Sequence, residues 1–302
     1  MAAPARTASS YGPGVAGASK AVLLELMTVL RAYRDALILI GGWVPYFLLE
    51  QHRRPDDPFV HVGSIDIDLA VDPDMVDEPH YATIAELLTA RGYRPATDRR
   101  GGPLPQSFER TVQAPLTDKP YTIRVDFLAP RGPAEAGRAR HLLIQDAFLA
   151  RKTKGCAAAF RYATSVPLTG TLPGGGQLTV PIRMADVAAS LTMKGIVLGE
   201  RYREKDAYDI YALVAHYRRG PRDVAEALRP RLEDPLVNEG MAGIRTAFAT
   251  RQAHGPAWAA AFLVQPLFAA ERERVVTDAF MTVHEFTTLL FEPELKTVNS
   301  EP

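Results

Sequence analysis

The sequence predicts an α/β (α+β) protein in which a mixed β-sheet domain is followed by an all-helical C-terminal half. Two observations carry this prediction. Short apolar runs and strictly alternating runs, both typical of strands, occur up to about residue 182, and apolar residues at helical spacing dominate beyond Arg183. With 302 residues, 47% of them hydrophobic, the chain can bury a sizeable core. We therefore divide it into a tail (1–18), a sheet domain (19–182) and a helical domain (183–302).

The predicted tail is rich in Ala, Ser, Gly and Pro and has no apolar run, so we interpret it as disordered and without a signal peptide. No stretch of the chain reaches the ~18 apolar residues of a membrane span. The single cysteine, Cys156, rules out an internal disulfide and favours a reducing compartment. We expect a cytoplasmic protein with no membrane partner.

The elements of the sheet domain follow from local patterns. Ser19 is a capping-type residue before helical apolar spacing, ALILI (36–40) is a buried strand, and GSIDIDLAVD (63–72) alternates apolar and acidic residues as a strand does. The predicted order is a helix at 19–35, a strand at 36–40, a helix at 43–49, a strand at 63–72, a helix at 79–91, strands at 107–113 and 121–130, and a hairpin of two extended runs at 157–182 around TLPGGGQ. Helices are predicted near 184–199, 204–218, 222–232, 236–253 and 270–291.

Three acidic residues stand on the predicted strands. Asp66 and Asp68 are two apart, so their carboxylates project from one face, and Asp126 lies in the apolar strand YTIRVDFLAP. Carboxylates held together repel and are costly to bury, and magnesium prefers such oxygen ligands. If the two strands are neighbours, the three carboxylates converge on one metal site, which is the arrangement of two-metal phosphoryl transfer. Taken singly, a DxD pattern also fits a solvated strand face, and Asp126 also fits a local cap or ion pair.

Two further features fit phosphate binding. Gly41-Gly42 lies between a strand and a helix, where bare backbone amides can approach phosphate oxygens, although a simple turn is the alternative. Lys194 lies on a predicted helix and can act as a point-charge clamp on a triphosphate. Asp206 and Asp209 follow on one helical face, and one or both would orient Lys194 or a basic neighbour. The alternative is an amphipathic helix with surface ion pairs.

Together, Gly41-Gly42, GSIDID (63–68), Asp126 and KGIVLGERYREKDAYDIYAL (194–213) resemble the nucleotidyltransferase superfamily. Within it, the chain is similar to the AbiEii-like and MenT-type toxins of bacterial toxin–antitoxin and phage-defence systems, over roughly residues 36–215. It departs from their pattern in having Trp43 where Ser or Thr is usual, and in a longer loop, HRRPDDPFVHVG, before Asp66.

The resemblance implies a nucleotidyltransferase-like fold and a Mg²⁺-dependent enzyme, with Mn²⁺ as an alternative ion, that moves a nucleoside monophosphate from an NTP to a tRNA or a protein. It also implies a cognate antitoxin as partner. The implied roles are metal binding by Asp66, Asp68 and Asp126, phosphate contact by Gly41, Gly42 and Ser64, triphosphate contact by Lys194, and support of Lys194 or of the acceptor by Asp206.

Two other functions stay open. Aminoglycoside adenylyltransferases share the DxD core, and the balance of 35 basic against 35 acidic residues favours such a small acceptor over RNA. A non-catalytic nucleotide-binding or interaction protein is the other, although the retained carboxylates and Lys194 argue against it. Two clusters of basic residues can nevertheless line a groove for RNA: Arg91, Arg94, Arg99, Arg100 and Arg110, and Arg131, Arg138, Arg140, Arg151, Lys152 and Lys154.

Overall fold

The computed structural model describes residues 7–76, 82–98, 100–114, 117–131, 140–146, 148–200, 204–264 and 268–292. Within these residues, all strands belong to the first part of the chain and precede a helical part, which confirms the predicted fold class. The division into domains at residue 182 stays a prediction.

The described strands form one mixed, nine-stranded sheet. They are β1 Leu37–Ile40, β2 Ile67–Val71, β3 Arg94–Thr97, β4 Pro103–Ala114, β5 Thr117–Pro130, β6 His141–Gln145, β7 Phe148–Thr153, β8 Ala163–Thr171 and β9 Gln177–Ala185. Their order is β3-β4-β5-β2-β1-β9-β8, with β7 beside the end of β5 and β6 beyond β7. β2 runs parallel to β5 and β9 parallel to β1, whereas β1 and β2 are antiparallel. The four residues of β1 are all buried, as expected for an apolar strand inside a sheet.

Helices cover the sheet and form the second part of the molecule. They are α1 Pro13–Val29, α2 Trp43–His52, α3 Ile84–Ala90, α4 Cys156–Arg161, α5 Val187–Glu200, α6 Glu204–His216, α7 Pro221–Leu228, α8 Pro235–Ala247, α9 His254–Leu263 and α10 Ala269–Phe291. α1 packs across β4, β5, β8 and β9. No helix in the described ranges is both long enough and apolar enough to cross a membrane.

The close packing of α5 against α8 fixes the orientation of α5. A Cβ atom added at Gly195 would lie 2.0 Å from the Gly240 carbonyl oxygen, and one added at Gly240 would lie 2.6 Å from the Thr192 carbonyl oxygen. Only glycine allows the two backbones to come this close. α5 is thereby held with its Lys194 side towards the sheet.

The prediction that residues 1–18 form a disordered tail was wrong for residues 7–18, because Ala8–Tyr11 form a 3-10 turn and α1 begins at Pro13. Proline is favoured at a first helical position, and the small residues that follow suit close packing: a Cβ at Gly14 would meet the Tyr121 hydroxyl at 2.7 Å. The helix predicted over 19–35 therefore starts earlier and ends at Val29. Residues 1–6 lie outside the described ranges.

Other boundaries also differ. The predicted hairpin around TLPGGGQ is confirmed by β8 and β9, but the first extended run does not begin at 157, since α4 occupies Cys156–Arg161. β3, β6 and β7 are short strands that the sequence did not predict. The helix predicted near 236–253 ends earlier, since α8 stops at Ala247, and α9 was not predicted. The helix predicted over 79–91 is α3, and residues 77–81 lie outside the described part of the chain.

Candidate active site

Two aspartates meet on neighbouring parallel strands in the sheet. Asp68 of β2 is the direct partner of Asp126 of β5, so their side chains share one face at a strand separation of about 4.8 Å. Ser107 of β4 is the antiparallel partner of Asp126, and its hydroxyl donates a hydrogen bond to Asp126 Oδ1. β2 and β5 are therefore neighbours, which is the condition that the sequence analysis set for one shared site.

These carboxylates destabilise one another's ionised form. Burial, followed by the charges of Asp126 and Asp66, raises the pKa of Asp68 to about 7. Burial also raises the pKa of Asp126, with a smaller contribution from Asp66, although the Ser107 hydrogen bond opposes this rise. Arg151 opposes the rise in both pKa values and Arg124 opposes that of Asp126, but both pKa values stay raised. A cation bound at this face would relieve the remaining repulsion.

Asp66 is not on the strand where the sequence placed it. β2 begins at Ile67, because its antiparallel neighbour β1 ends at Ile40, the partner of Asp68, and the chain then turns away. Asp66 lies in the bend just before β2 and lines the same cleft as Asp68 and Asp126. Among the described residues, no three His, Cys, Asp or Glu side chains are already set as a group of metal ligands.

The Gly41-Gly42 turn lies directly against the carboxylates. Gly41 has a φ of +73°, and a Cβ atom there would lie 2.1 Å from Asp68 Oδ2. At Gly42 a Cβ atom would lie 2.6 Å from the Ser64 hydroxyl oxygen. Glycine is therefore required at position 41 both by its backbone conformation and by the carboxylate beside it. The turn leads into α2, whose N-terminus faces the same cleft.

The opposite wall of the cleft is formed by α5 and α6. Ser190, Met193, Lys194 and Val197 line it from one face of α5, as their helical spacing requires. Lys194 is 6% exposed, and its Nζ lies 3.1 Å from Asp206 Oδ1 and 2.6 Å from Asp209 Oδ2. Burial disfavours the charge on Lys194, but Asp209 and Asp206 together raise its pKa above the ordinary value.

Asp209 is the centre of this wall. It is fully buried, and its Oδ1 also receives Lys205 Nζ at 2.6 Å and lies 2.9 Å from His61 Nε2. Although burial opposes ionisation, Lys194, Lys205 and His61 together hold the pKa of Asp209 well below its usual range. His61 is affected in a different way. Burial and the nearby lysines lower the pKa of His61 to about 4, although Asp209 opposes this, so the ring is neutral at pH 7.

All eight residues singled out from the sequence line one cleft of about 580 Å³ between the sheet and the helices. They are Gly41, Gly42, Ser64, Asp66, Asp68, Asp126, Lys194 and Asp206. Asp209, which the sequence suggested as a partner of Lys194 or of a basic neighbour, lines the same cleft. Further lining residues that were not assigned to the site are Tyr11, Gln106, Ser107, Arg124 and Lys205, and Arg151, which was placed in a basic cluster.

Two of these could have been found from spacing alone. Arg124 is two residues before Asp126 on the same strand and therefore shares its face. Lys205 is four residues before Asp209 on α6, the spacing of a helical ion pair. Tyr11 had no such signal, because it lies in the segment that we interpreted as disordered.

In the first basic cluster Arg94 and Arg100 are exposed, whereas two other arginines pair with one carboxylate. Arg91 and Arg110 both bind Glu25, which is 2% exposed, with Nε–Oε distances of 2.8 and 3.0 Å. In the second cluster Arg151 lines the cleft, Lys154 pairs with Glu239, and Arg131 and Arg140 are exposed. Arg99 and Arg138 lie outside the described residues, as do Arg201 and Arg203 of the distal motif.

No family model matches this chain. No curated protein matches it either. Among solved structures it is similar to MenT4, a nucleotidyltransferase toxin from Mycobacterium tuberculosis H37Rv, at 15% sequence identity over 92% of this chain and 89% of that chain, with a TM-score of 0.36. A similarity at that TM-score does not indicate a function.

Proposed function

We propose that this protein is a Mg²⁺-dependent nucleotidyltransferase that moves a nucleoside monophosphate from an NTP to an acceptor. The observation that carries the proposal is the pairing of Asp68 with Asp126 on parallel strands, opposite a wall that holds Lys194 and Lys205. Excess negative charge on one wall and ammonium groups on the other suit a metal-bound triphosphate between them. A volume of about 580 Å³ is in the range of small-ligand sites.

The donor set fits magnesium by its chemistry. Asp66, Asp68 and Asp126 offer only oxygen atoms, and the mutual repulsion that raises the pKa of Asp68 would be relieved by a divalent cation. Mn²⁺ takes similar ligands. When bound, such an ion supplies charge neutralisation for the phosphates and lowers the pKa of an attacking hydroxyl. The three aspartates would hold it.

The remaining residues give the reaction its binding and proton steps. The acceptor hydroxyl oxygen forms a bond to the α-phosphorus, the bond from that phosphorus to the α–β bridging oxygen breaks, and pyrophosphate leaves. Asp126 Oδ2 takes the hydroxyl proton, since Oδ1 already accepts the Ser107 hydrogen bond. The amides of the Gly41-Gly42 turn, the Ser64 hydroxyl and a lysine of the helical wall bind the phosphate oxygens.

The acceptor is a tRNA or a protein in the leading form of this proposal, in which the chain is the toxin of a toxin–antitoxin or phage-defence system with a cognate antitoxin. A small-molecule acceptor is the second candidate. It is favoured by one observation, that Glu25 pairs with both Arg91 and Arg110 and so offsets part of the positive charge that an RNA backbone would need. A non-catalytic nucleotide-binding protein is the third outcome that the experiment separates.

The test is incubation of the protein with Mg²⁺ and each NTP, labelled in turn at the α- and the γ-phosphate, together with total tRNA, a cell lysate or a panel of small hydroxyl compounds. We expect that the α-label, and not the γ-label, is transferred to one acceptor class. This transfer should be lost with EDTA and in the Asp68→Asn variant. Transfer of γ-label would indicate a kinase. NTP binding without transfer to any acceptor would favour the non-catalytic alternative.

The toxin role has its own test. Induced expression of the wild-type chain should arrest bacterial growth, and Asp68→Asn should not. Co-expression of an adjacent antitoxin-like reading frame should restore growth. Normal growth on wild-type expression would favour a stand-alone enzyme.

A further inference from the structure

Two lysines face the cleft from the helical wall, and their surroundings differ. Lys194 Nζ bridges two carboxylates, Asp206 at 3.1 Å and Asp209 at 2.6 Å, and its side chain is 7% exposed. An ammonium group held between one buried and one partly exposed carboxylate has little charge left for a third anion. Moving it towards a ligand would also leave Asp209 without one of its buried partners, which is costly.

Lys205 is less fully neutralised. Its Nζ has one carboxylate in contact, Asp209 at 2.6 Å, and it shares that oxygen atom with His61. Burial, together with the charge of Lys194, lowers the pKa of Lys205 despite Asp209. Its side chain is 16% exposed, about twice the exposure of Lys194. An anion arriving in the cleft would therefore gain more from Lys205.

Lys205 also lies beside the phosphate-binding turn. Its Nζ is 3.6 Å from the position that a Cβ atom would take on Gly42, next to the Ser64 hydroxyl. The rings of Tyr11 and Tyr208 each lie 5.4 Å from Nζ and limit the directions in which the side chain can move. The ammonium group is thus held at the N-terminus of α2, where backbone amides face the cleft.

We infer that Lys205 is the lysine that binds the phosphate chain of the nucleotide, and that Lys194 is a positioning residue that holds Asp209 and, through it, Lys205. This rests on the proposed function and reverses the role that the sequence resemblance implied for Lys194. His61 belongs to the same arrangement, since its contact with Asp209 Oδ1 fixes the carboxylate that Lys205 uses.

The experiment is calorimetric titration with inorganic tripolyphosphate and Mg²⁺, repeated with each of the four NTPs, on the full chain. Tripolyphosphate carries the shared chemistry of all NTPs and needs no knowledge of the base. Lys205→Met should raise its Kd at least tenfold. Lys20→Met is the matched control, since Lys20 also lies over two aromatic rings, at 5.3 and 5.6 Å, but does not line the cleft; its Kd should stay within twofold of wild type.

Positioning is tested by a double-mutant cycle. Lys194→Met should raise the Kd when it is introduced into the wild type. Introduced into Lys205→Met, it should change the Kd by less than a further twofold. Circular dichroism establishes folding, and Lys205→Gln is the second variant if Lys205→Met does not fold.

Normal binding by folded Lys205→Met, with a tenfold loss in Lys194→Met alone, would overturn the inference and leave the proposed function in place. Failure of the wild type to bind tripolyphosphate and every NTP would overturn both.

Discussion

The two walls of the cleft handle charge in opposite ways. On the sheet wall, Asp68, Asp126 and Asp66 repel one another, and the pKa of Asp68 is raised to about 7. On the helical wall, Asp209 is fully buried, whereas the three sheet aspartates are partly exposed. Although burial opposes its ionisation, Lys194 and Lys205 hold the pKa of Asp209 well below the usual range. The sheet wall carries negative charge that Arg124 and Arg151 offset only in part, whereas the carboxylates of the helical wall are paired with lysines.

This difference separates a ligand site from its support. Like charges that are kept together cost stability and persist where a ligand offsets the cost. Paired buried charges stabilise only as a complete set, because removing one partner leaves the others uncompensated. Substitutions on the two walls should therefore change the stability of the metal-free protein in opposite directions.

The largest effect is expected at Asp209. Asp209→Asn leaves Lys194 and Lys205 with one uncompensated buried positive charge and should reduce the free energy of unfolding by about 3–5 kcal/mol in urea denaturation. Asp56→Asn is the control, because Asp56 is an exposed residue whose pairing with Arg54 is a surface contact and should have almost no effect. Equal effects of the two variants would remove the distinction between the walls.

His61 should make the helical wall sensitive to acid. Its folded pKa of about 4 lies below the ordinary 6.5, so the unfolded chain binds the proton first as the pH falls. Its contribution to stability is complete above pH 6.5 and is lost between pH 6.5 and 4. The destabilisation caused by His61→Gln should thus be larger at pH 7 than at pH 4, by about 3 kcal/mol. A difference that does not change with pH would contradict the buried, neutral ring facing Asp209, Lys205 and Lys194.

A smaller effect is expected in the Gly41-Gly42 turn. Gly41→Ala places a side chain at a φ of +73°, which costs about 1–2 kcal/mol, and forces Asp68 to move. Gly101→Ala is the matched control, with a φ of +81° and no atom within 4 Å of the added Cβ. Gly101→Ala should lose only the stability that its φ costs in thermal unfolding, Gly41→Ala should lose at least as much, and only Gly41→Ala should lose Mg²⁺-dependent transfer. Full activity in Gly41→Ala would show that the turn does not position the carboxylate.

The sheet wall was the more predictable of the two. An apolar run located β1, and alternation located β2 and β5 and fixed the face of Asp126. The sequence left open whether β2 and β5 are neighbours, which the structure shows. The exact start of β2 was not predictable, because it depends on where β1 ends and not on the alternation around Asp66.

The helical wall was harder to predict, because it depends on contacts between segments that are distant in the sequence. Spacing placed Asp206 and Asp209 on one helix, but the choice of Asp209 as the shared partner comes from the packing of α5 on α6 and from His61 in the preceding loop. The loop that contains His61 was recognised as an insertion, but nothing in its sequence indicated that His61 contacts Asp209. Tyr11 was missed because its low-complexity surroundings are typical of disorder, although a proline-initiated helix follows it.

The central claim is that the sheet wall is charged for a divalent cation, and one measurement tests it most directly. The melting temperatures of wild type and Asp68→Asn are compared at pH 8, with EDTA and with saturating Mg²⁺. In EDTA, removal of one of the repelling carboxylates should leave the variant as stable as the wild type or more stable, by about 1 kcal/mol. Mg²⁺ should raise the melting temperature of the wild type and not that of the variant. A variant that melts well below the wild type in EDTA, or that responds to Mg²⁺ as the wild type does, would contradict the account.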